Sequence, residues 1–232
     1  MSSRTSERSL ADVLGALVSD HEPTDLLADL VATCAALLPA DAAALLVDDG
    51  HGRLELLSAT SHRAAELELY QAQQDSGPCV DAVRTGEALS AVGEADITGR
   101  WPDVGAAIVA AGFLAVHAFP MTWRGQALGG LNVFSQNPQE LAASSRAVAR
   151  SLADVATLAL TQPAELGNEE LADRVQAALE GRVVVERAKG VLAQTLDLDM
   201  ETAYDHLVHR ALETHSTLSQ TARQVVHDAH HP

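Results

Sequence analysis

The chain has 232 residues, a length that favours two modest domains with a core each, and carries 32 Asp and Glu against 15 Lys and Arg for a formal charge of −17. That balance argues against generic binding to DNA or to an anionic membrane, because affinity for phosphate comes mainly from Lys and Arg displacing counterions. No apolar run reaches the roughly eighteen residues of a membrane span and no signal core follows the polar residues Met1 to Arg8, so a cytoplasmic protein without a membrane partner is expected.

Apolar residues recur at helical spacing over Leu10 to Val18 and over Asp25 to Leu38, with Thr24 placed to cap the second helix and Pro39 just past its end. Ala42 to Val47 and Leu54 to Ala59 predict two strands around Asp48-Asp-Gly-His-Gly52, whose Asp-Gly pair suits a hairpin. Arg63 to Gln73 is helical in composition until Asp75-Ser-Gly-Pro78 breaks it; Pro78 then opens a short helix, Cys79 to Arg84, which Gly86 ends. A strand over Ala88 to Val92, a loop through Asp96 and Trp101-Pro102, and a helix over Val104 to Ala111 follow. Phe113 to Met121 and Leu128 to Phe134, joined by Trp123-Arg-Gly-Gln126, predict a central hairpin. The order implies an antiparallel sheet with helices on its faces.

Gln139 to Leu160 is a long helix with Leu141, Val148, Leu152, Val155 and Ala159 at apolar positions, and Thr161-Gln-Pro-Ala164 interrupts it. From Glu169 a second long helix carries Leu171, Val175, Ala178, Val185, Ala188, Leu192 and Leu196 at intervals of three, four or seven. Such a stripe suits a coiled-coil seam or a bundle, within one chain or between two. Asp199 is placed to cap a helix over Met200 to Leu212, whose Met200, Ala203, Tyr204, Leu207, Val208, Ala211 and Leu212 share a face. Thr217 and Gln220 form a capping-box pattern ahead of a last helix, Leu218 to Ala229. Ala188, Ala203, Ala211 and Ala222 are the small residues at which three such helices can approach one another. The expected fold class is α+β: a sheet domain over 1–160, a linker over 161–168 and a three-helix domain over 169–232.

Several spaced motifs in the first 160 residues point one way: Gly77-Pro78-Cys79, Asp81-Ala82, Arg84-Thr85-Gly86, Arg100-Trp101-Pro102, Ala111-Gly112-Phe113, Val116-His117-Ala118 and Gly129-Gly130-Leu131-Asn132-Val133-Phe134. In this order they resemble a GAF sensor domain, of the type that precedes an ANTAR domain in actinobacterial proteins. The resemblance implies a small-molecule pocket between the sheet and its inserted helices, with Cys79, Trp101 and His117 as candidate lining residues. The cofactor or ligand is unknown from sequence. The Asn-Lys-Phe-Asp-Glu pattern of cyclic-nucleotide GAF domains is not present, and the two cysteines, Cys34 and Cys79, are fewer than GAF-type methionine sulfoxide reductases use. His117 reads either as a haem ligand or as a hydrogen-bonded core residue. Cys79 reads either as a redox-sensitive thiol at a helix start or as an inert buried one.

At the other end, Arg182, Val185, Ala188-Lys189-Gly190 and Leu192, followed by Ala203, Leu207, Ala211, Leu218 and Ala222, resemble an ANTAR domain. The resemblance implies binding of paired RNA stem-loops with hexanucleotide loops, which stabilises an antiterminator hairpin in a nascent transcript, and a homodimer. Lys189 is the chain's only lysine, and Tyr204 is the only aromatic residue beyond residue 164. Arg182, Arg187, Lys189, Arg210 and Arg223 are the candidate phosphate contacts, Gly190 a candidate for close approach, and Tyr204 a candidate stacking platform. The bland alternatives are pairing of Arg182 and Lys189 with Glu186 across one helical turn, and a core position for Tyr204. Residues 164 to 232 hold twelve Asp and Glu against six Lys and Arg, and His209 to Leu218 lacks the basic residues that ANTAR domains place there. Three or four phosphate contacts per subunit imply a salt slope of roughly −2 to −3.

The expected function is a signal-responsive antitermination regulator; the alternative is a dimeric GAF-based interaction module whose ANTAR part no longer binds RNA. No set of nucleophile, base and orienting group suggests an enzyme, and a frayed terminus accounts for His227, His230 and His231 without a metal.

Overall fold

The computed structural model describes residue 15 and residues 23–161, 168–214 and 216–230, the side chains of 168–170 and 230 excepted. The helix expected over Leu10 to Val18 lies outside the described residues apart from Gly15, and the expected linker does so over 162–167.

The N-terminal unit is built on five strands: β1 (Ala42–Asp48), β2 (Leu54–Ala59), β3 (Leu89–Val92), β4 (Ala115–Trp123) and β5 (Gln126–Ser135). They form one sheet in the order β2-β1-β5-β4-β3, with every neighbouring pair antiparallel. Two short turns account for the two hairpins. In the second, Arg124 and Gly125 both have positive φ, the conformation whose twist matches that of the flanking strands.

Both faces of the sheet are covered, which is why β1 is buried from Ala42 to Val47 instead of alternating in and out. One face packs on α1 (Pro23–Leu37) and α6 (Ala143–Thr161) through Leu27, Leu30, Leu131, Val133, Leu152 and Ala156. On the other face lie α2 (His62–Gln74), α3 (Pro78–Thr85), α4 (Glu94–Arg100) and α5 (Pro102–Ala110), with Ile97, Ile108, Phe113 and Phe134 at the centre of that core. Pro78 stands at the start of α3 and Gly86 caps it in the left-handed region, as the sequence predicts. The segment through Asp96, expected as a loop, is the helix α4: Asp96 accepts from the Val92 amide and from Arg100, whose guanidinium also donates to the Ser90 carbonyl. These side-chain bonds hold a seven-residue helix that has no apolar periodicity to announce it.

The C-terminal part is helical: α7 (Asn168–Leu196), α8 (Met200–Glu213) and α9 (Leu218–His230). Asp199 caps α8 by accepting from the Thr202 amide at 2.7 Å, and Thr217 and Gln220 bond reciprocally at 3.2 Å ahead of α9. Ala188, Ala203, Ala211 and Ala222 are all buried where the helices meet. Leu196 and Leu212, expected on the inner face, are exposed instead, Leu212 at 68%. Each stands near the end of its helix, beyond the reach of the other two.

Twenty-nine residues of α7 rise about 43 Å, enough to serve two cores. Val175 and Ala178 belong to the core of α1 and α6, whereas Val185, Ala188 and Leu192 belong to the bundle core with Leu207 and Val225.

Close approach inside the sheet rests on glycine. A methyl group at Gly129 would run into the Leu46 carbonyl on the neighbouring strand β1. Gly129→Ala is expected to destabilise the protein by about 1–3 kcal/mol through displaced backbone, measured as a lower urea midpoint at unchanged m-value.

Candidate functional site

Helices α7, α8 and α9 do not stand free of the sheet domain. Five polar contacts cross from one to the other, four of them around a single seam. The Thr24 hydroxyl donates to the Ala178 carbonyl at 3.1 Å, the Tyr204 hydroxyl donates to the Ala59 carbonyl at 3.2 Å, and the Ser219 amide donates to Asp25 Oδ1 at 2.9 Å. Lys189 Nζ lies 3.3 Å from His62 Nδ1, and farther out Arg63 and Glu201 form a 4.0 Å pair. Thr24 is thus not the helix cap expected of it: α1 already begins at Pro23, and the hydroxyl is spent on α7. Its partner helix approaches closely because residue 181 is glycine, where a side chain would collide with Thr24.

Lys189 decides the electrostatics of the seam. It is 1% exposed, and its ammonium pairs with Glu186 Oε2 at 2.7 Å, one turn earlier on α7. An ammonium has no lone pair, so the His62 Nδ1 facing it must be the acceptor. That fixes the imidazole as neutral with its proton on Nε2, which points at Glu66 Oε1 3.4 Å away. The pairing with Glu186 that the sequence offered as the bland alternative is therefore made by Lys189 but not by Arg182. Arg182 lines the seam without a hydrogen bond or ion pair to any described residue.

Tyr204 is largely enclosed, and burial, followed by the charges of Glu186 and Asp205, pushes its hydroxyl up to about 12. As the structure stands, Lys189 is buried against the sheet domain and the partly buried Tyr204 has its hydroxyl bonded to it, so neither stands out as a phosphate contact or a stacking platform. The reason is physical: the only lysine and the only bundle aromatic sit on the stripe of α7 and α8 that meets β2 and α2. The remaining candidates lie elsewhere. Arg187 is exposed and, with Gly190, lines a groove between α7 and α9; Arg223 is exposed on α9; Arg210 pairs with Asp228 at 3.7 Å. The seven residues therefore do not form one surface.

The three pocket residues expected in the sheet domain are also not brought together. Cys79 is fully buried at the start of α3 against Gly130, and burial, reinforced by the Glu68 carboxylate, holds its thiol well above the usual range. A redox-reactive thiolate does not fit that environment. Trp101 is buried in the core of α4 and α5, and its indole donates to Asp81 Oδ2 at 2.7 Å. His117 alternates along β4 with residues of the opposite face, beside Phe119 and Met121, and its Nδ1 meets Ser90 Oγ at 2.8 Å. Burial lowers its pKa, so it is a neutral core imidazole whose Nε2 has no partner among the described residues.

A polar cluster that sequence reasoning passed over lies beneath Cys79. Glu68 is fully buried on α2; Asn132 Nδ2 donates to its Oε1 at 2.6 Å and Gln71 Nε2 to its Oε2 at 3.0 Å, while Gln71 Oε1 accepts from the Cys79 amide. Its only sequence signal is one Glu at an otherwise apolar helical position. Burial is the leading cause that pushes this carboxyl up to about 8, against which the Asn132 bond acts in the opposite direction. A carboxyl raised in the folded state binds its proton more tightly there, so its contribution is full below the unfolded value and is lost as pH rises toward 8. Thermal stability is expected to fall across roughly pH 5 to 8 by at most about 1.4 kcal/mol per pH unit from this group. Glu68→Gln should flatten that dependence, as followed by melting temperature against pH.

The comparisons agree with this architecture. A family model described as GAF domain matches residues 20–161, and one described as ANTAR domain matches residues 173–226. No curated protein sequence matches the chain. Among solved structures, the chain is similar to the GAF domain of an Acinetobacter phosphoenolpyruvate-protein phosphotransferase at 13% identity and a TM-score of 0.54, covering 71% of this chain and 98% of that one. It is similar also to the GAF domain of a phosphoenolpyruvate-protein phosphotransferase from Coxiella burnetii at 18% identity and a TM-score of 0.50, covering 66% and 90%. At these identities the likeness concerns the fold alone. GAF and ANTAR are sensor and regulatory domains, and no described helix is long and apolar enough to cross a membrane. With a GAF match over more than half its length and an ANTAR match behind it, the chain belongs to the GAF family and carries an ANTAR domain as its C-terminal bundle.

Proposed function

We propose that the protein is a cytoplasmic, signal-responsive regulator of transcription antitermination, a homodimer whose ANTAR bundle binds stem-loops in nascent RNA under control of its GAF domain. The observation that carries this reading is the seam itself: the Ala188-Lys189-Gly190 segment of α7 is packed against the GAF domain through Lys189, with α7 running unbroken from one core to the other. In this reading the seam is the closed state. Lys189 and Tyr204 reach RNA only when α7 and α8 part from β2 and α2, while Arg187 and Gly190 remain accessible throughout. Leu158 on α6 and Val183 on α7 are exposed apolar side chains and support a second subunit alongside.

Two observations favour the alternative, a dimeric interaction module that does not take RNA. The bundle's only lysine is already neutralised by Glu186, and acidic groups outnumber basic ones two to one beyond residue 164. Affinity of the full chain for RNA stem-loops with hexanucleotide loops, measured against salt, separates the two. The regulator is expected to show weak binding with a slope of roughly −2 to −3. Gly181→Val, which forces α7 away from Thr24, should tighten it. Arg187→Ala should weaken it and reduce the slope by about 0.7 without disturbing the seam. Absence of stem-loop binding by both the wild type and Gly181→Val would remove RNA from the account and leave the interaction module.

A further inference from the structure

One group in the seam changes charge near neutral pH, and it stands at the contact where the buried ammonium meets the GAF domain. His62 opens α2 directly after the capping residue Ser61, and its Nδ1 faces Lys189 Nζ at 3.3 Å. Its side chain is 25% exposed, so water reaches the ring. For the contact to hold, Nδ1 must offer a lone pair. Imidazole gains a proton at roughly pH 5 to 8, and with Nε2 already protonated the incoming proton goes to Nδ1. Uptake therefore sets an N–H donor against an N–H donor, and a second positive charge beside one that is buried.

The neighbouring charges sort by helix. From α7, Lys189 and Arg182 oppose an imidazolium, whereas Glu186 attracts one but is held by Lys189 at 2.7 Å. From α8, the Tyr204 hydroxyl is occupied by the Ala59 carbonyl, and Glu201 pairs at 4.0 Å with Arg63, the next residue of α2. Asp199, exposed at the α8 cap, has its carboxyl lowered first by the Thr202 amide and last by His62. Strand β2 presents Leu56 to Ala59, all uncharged. On α2 itself, Glu66 Oε1 lies 3.4 Å from Nε2, and being on the same helix it stays with the ring when the domains part. Separation removes Lys189 and Glu186 as a pair and frees Nδ1, while Glu66 remains. The ring then binds a proton more tightly in the open state, so the closed seam is favoured above the imidazole range and loses ground as pH falls through it.

We propose that His62 is a proton-operated latch on the interdomain seam: the neutral ring holds α7 against α2 through Lys189, and the protonated ring releases it. One proton per chain works this latch, so the ratio of open to closed seam changes by up to about tenfold per pH unit. The direction is opposite to that of Glu68, whose raised carboxyl makes the GAF core firmer at lower pH. Acid loosens the seam while it tightens the core behind it. The latch concerns the contact between the domains and holds whether or not the bundle takes RNA.

The Ser219 amide reports the state of the seam. It lies in the first turn of α9, where a helix supplies no acceptor of its own, and it bonds across to Asp25 at 2.9 Å. Its hydrogen-exchange protection factor, which divides out the intrinsic pH dependence of exchange, is measured by NMR on the full chain without RNA at about pH 7.5 and about pH 5.5. Protection is expected to be roughly ten- to a hundredfold lower at the lower pH, while the Leu131 amide in the central strand β5 keeps or gains protection. His62→Gln, whose side-chain oxygen accepts from Lys189 without titrating, should keep Ser219 protected at both values; a dependence that belonged to Asp25 would survive in this variant. His206→Gln, at an exposed position of α8, should follow the wild type. The ring-nitrogen shifts of His62 should show Nδ1 unprotonated at the higher pH. The proposal is overturned by equal Ser219 protection at the two pH values in the wild type, by the wild-type dependence persisting in His62→Gln, by its loss in His206→Gln, or by a proton on Nδ1 at the higher pH.

Discussion

A single ammonium, that of Lys189, sets the terms on which the two domains meet. A buried charge is tolerable only while its partners stay in place, because its desolvation is repaid by short contacts of good geometry and by little else. Here those partners come from both sides: Glu186 on the same helix, and His62 from the first turn of α2. Apolar contacts across the seam can be lost a few at a time. This one cannot, since withdrawing His62 leaves an ammonium and a carboxylate on a bare helix face, where water competes for both. The Lys189 contact therefore gives the seam a threshold, and the Thr24, Tyr204 and Asp25 bonds are distributed around it.

The second constraint is mechanical. Helix α7 contributes Val175 and Ala178 to one core and Val185, Ala188 and Leu192 to the other, with Gly181 between the two sets, pressed against Thr24. A helix whose backbone bonds run unbroken passes a rotation or tilt at one end on to the other. Neither core can shift its share of α7 without the other sensing it. The polar interior of the GAF domain lies on the α2 and α3 side of the sheet, with Glu68 and Gln71 on the same helix whose first turn meets Lys189, whereas Val175 and Ala178 of α7 join the α1 and α6 side.

Local chemistry was legible in the chain, and long-range chemistry was not. Asp199, the Thr217 and Gln220 pair, Pro78 and Gly86 each act within a turn of their own position, so their roles follow from spacing alone. The buried alanines at 188, 203, 211 and 222 follow from helical period in the same way. Thr24 shows the limit: its position ahead of an apolar stripe is that of a cap, yet its hydroxyl bonds to Ala178, 154 residues away. Lys189 shows it more sharply. Its place beside Glu186 suggested the ion pair, but no pattern within the helix indicates that β2 and α2 cover the pair. Glu68 was missed because one carboxylate on a helix reads as a solvated face until the sheet and Asn132 are set above it. Helix α4 was missed because it is held by Asp96 and Arg100 instead of by an apolar face. For the candidate RNA contacts, the consequence was a set of residues placed on their helices as expected but not gathered on one surface.

The absence of any other lysine has a practical side. Apart from the amino terminus, the chain has one primary amine, and in this arrangement it is sheathed by the protein. Reagents that acylate amines, and enzymes that transfer acyl groups to lysine, therefore meet no side-chain target on the assembled molecule. A separation of the two halves would uncover a single nucleophile, and the extent of its acylation would then record how long the seam had stood open.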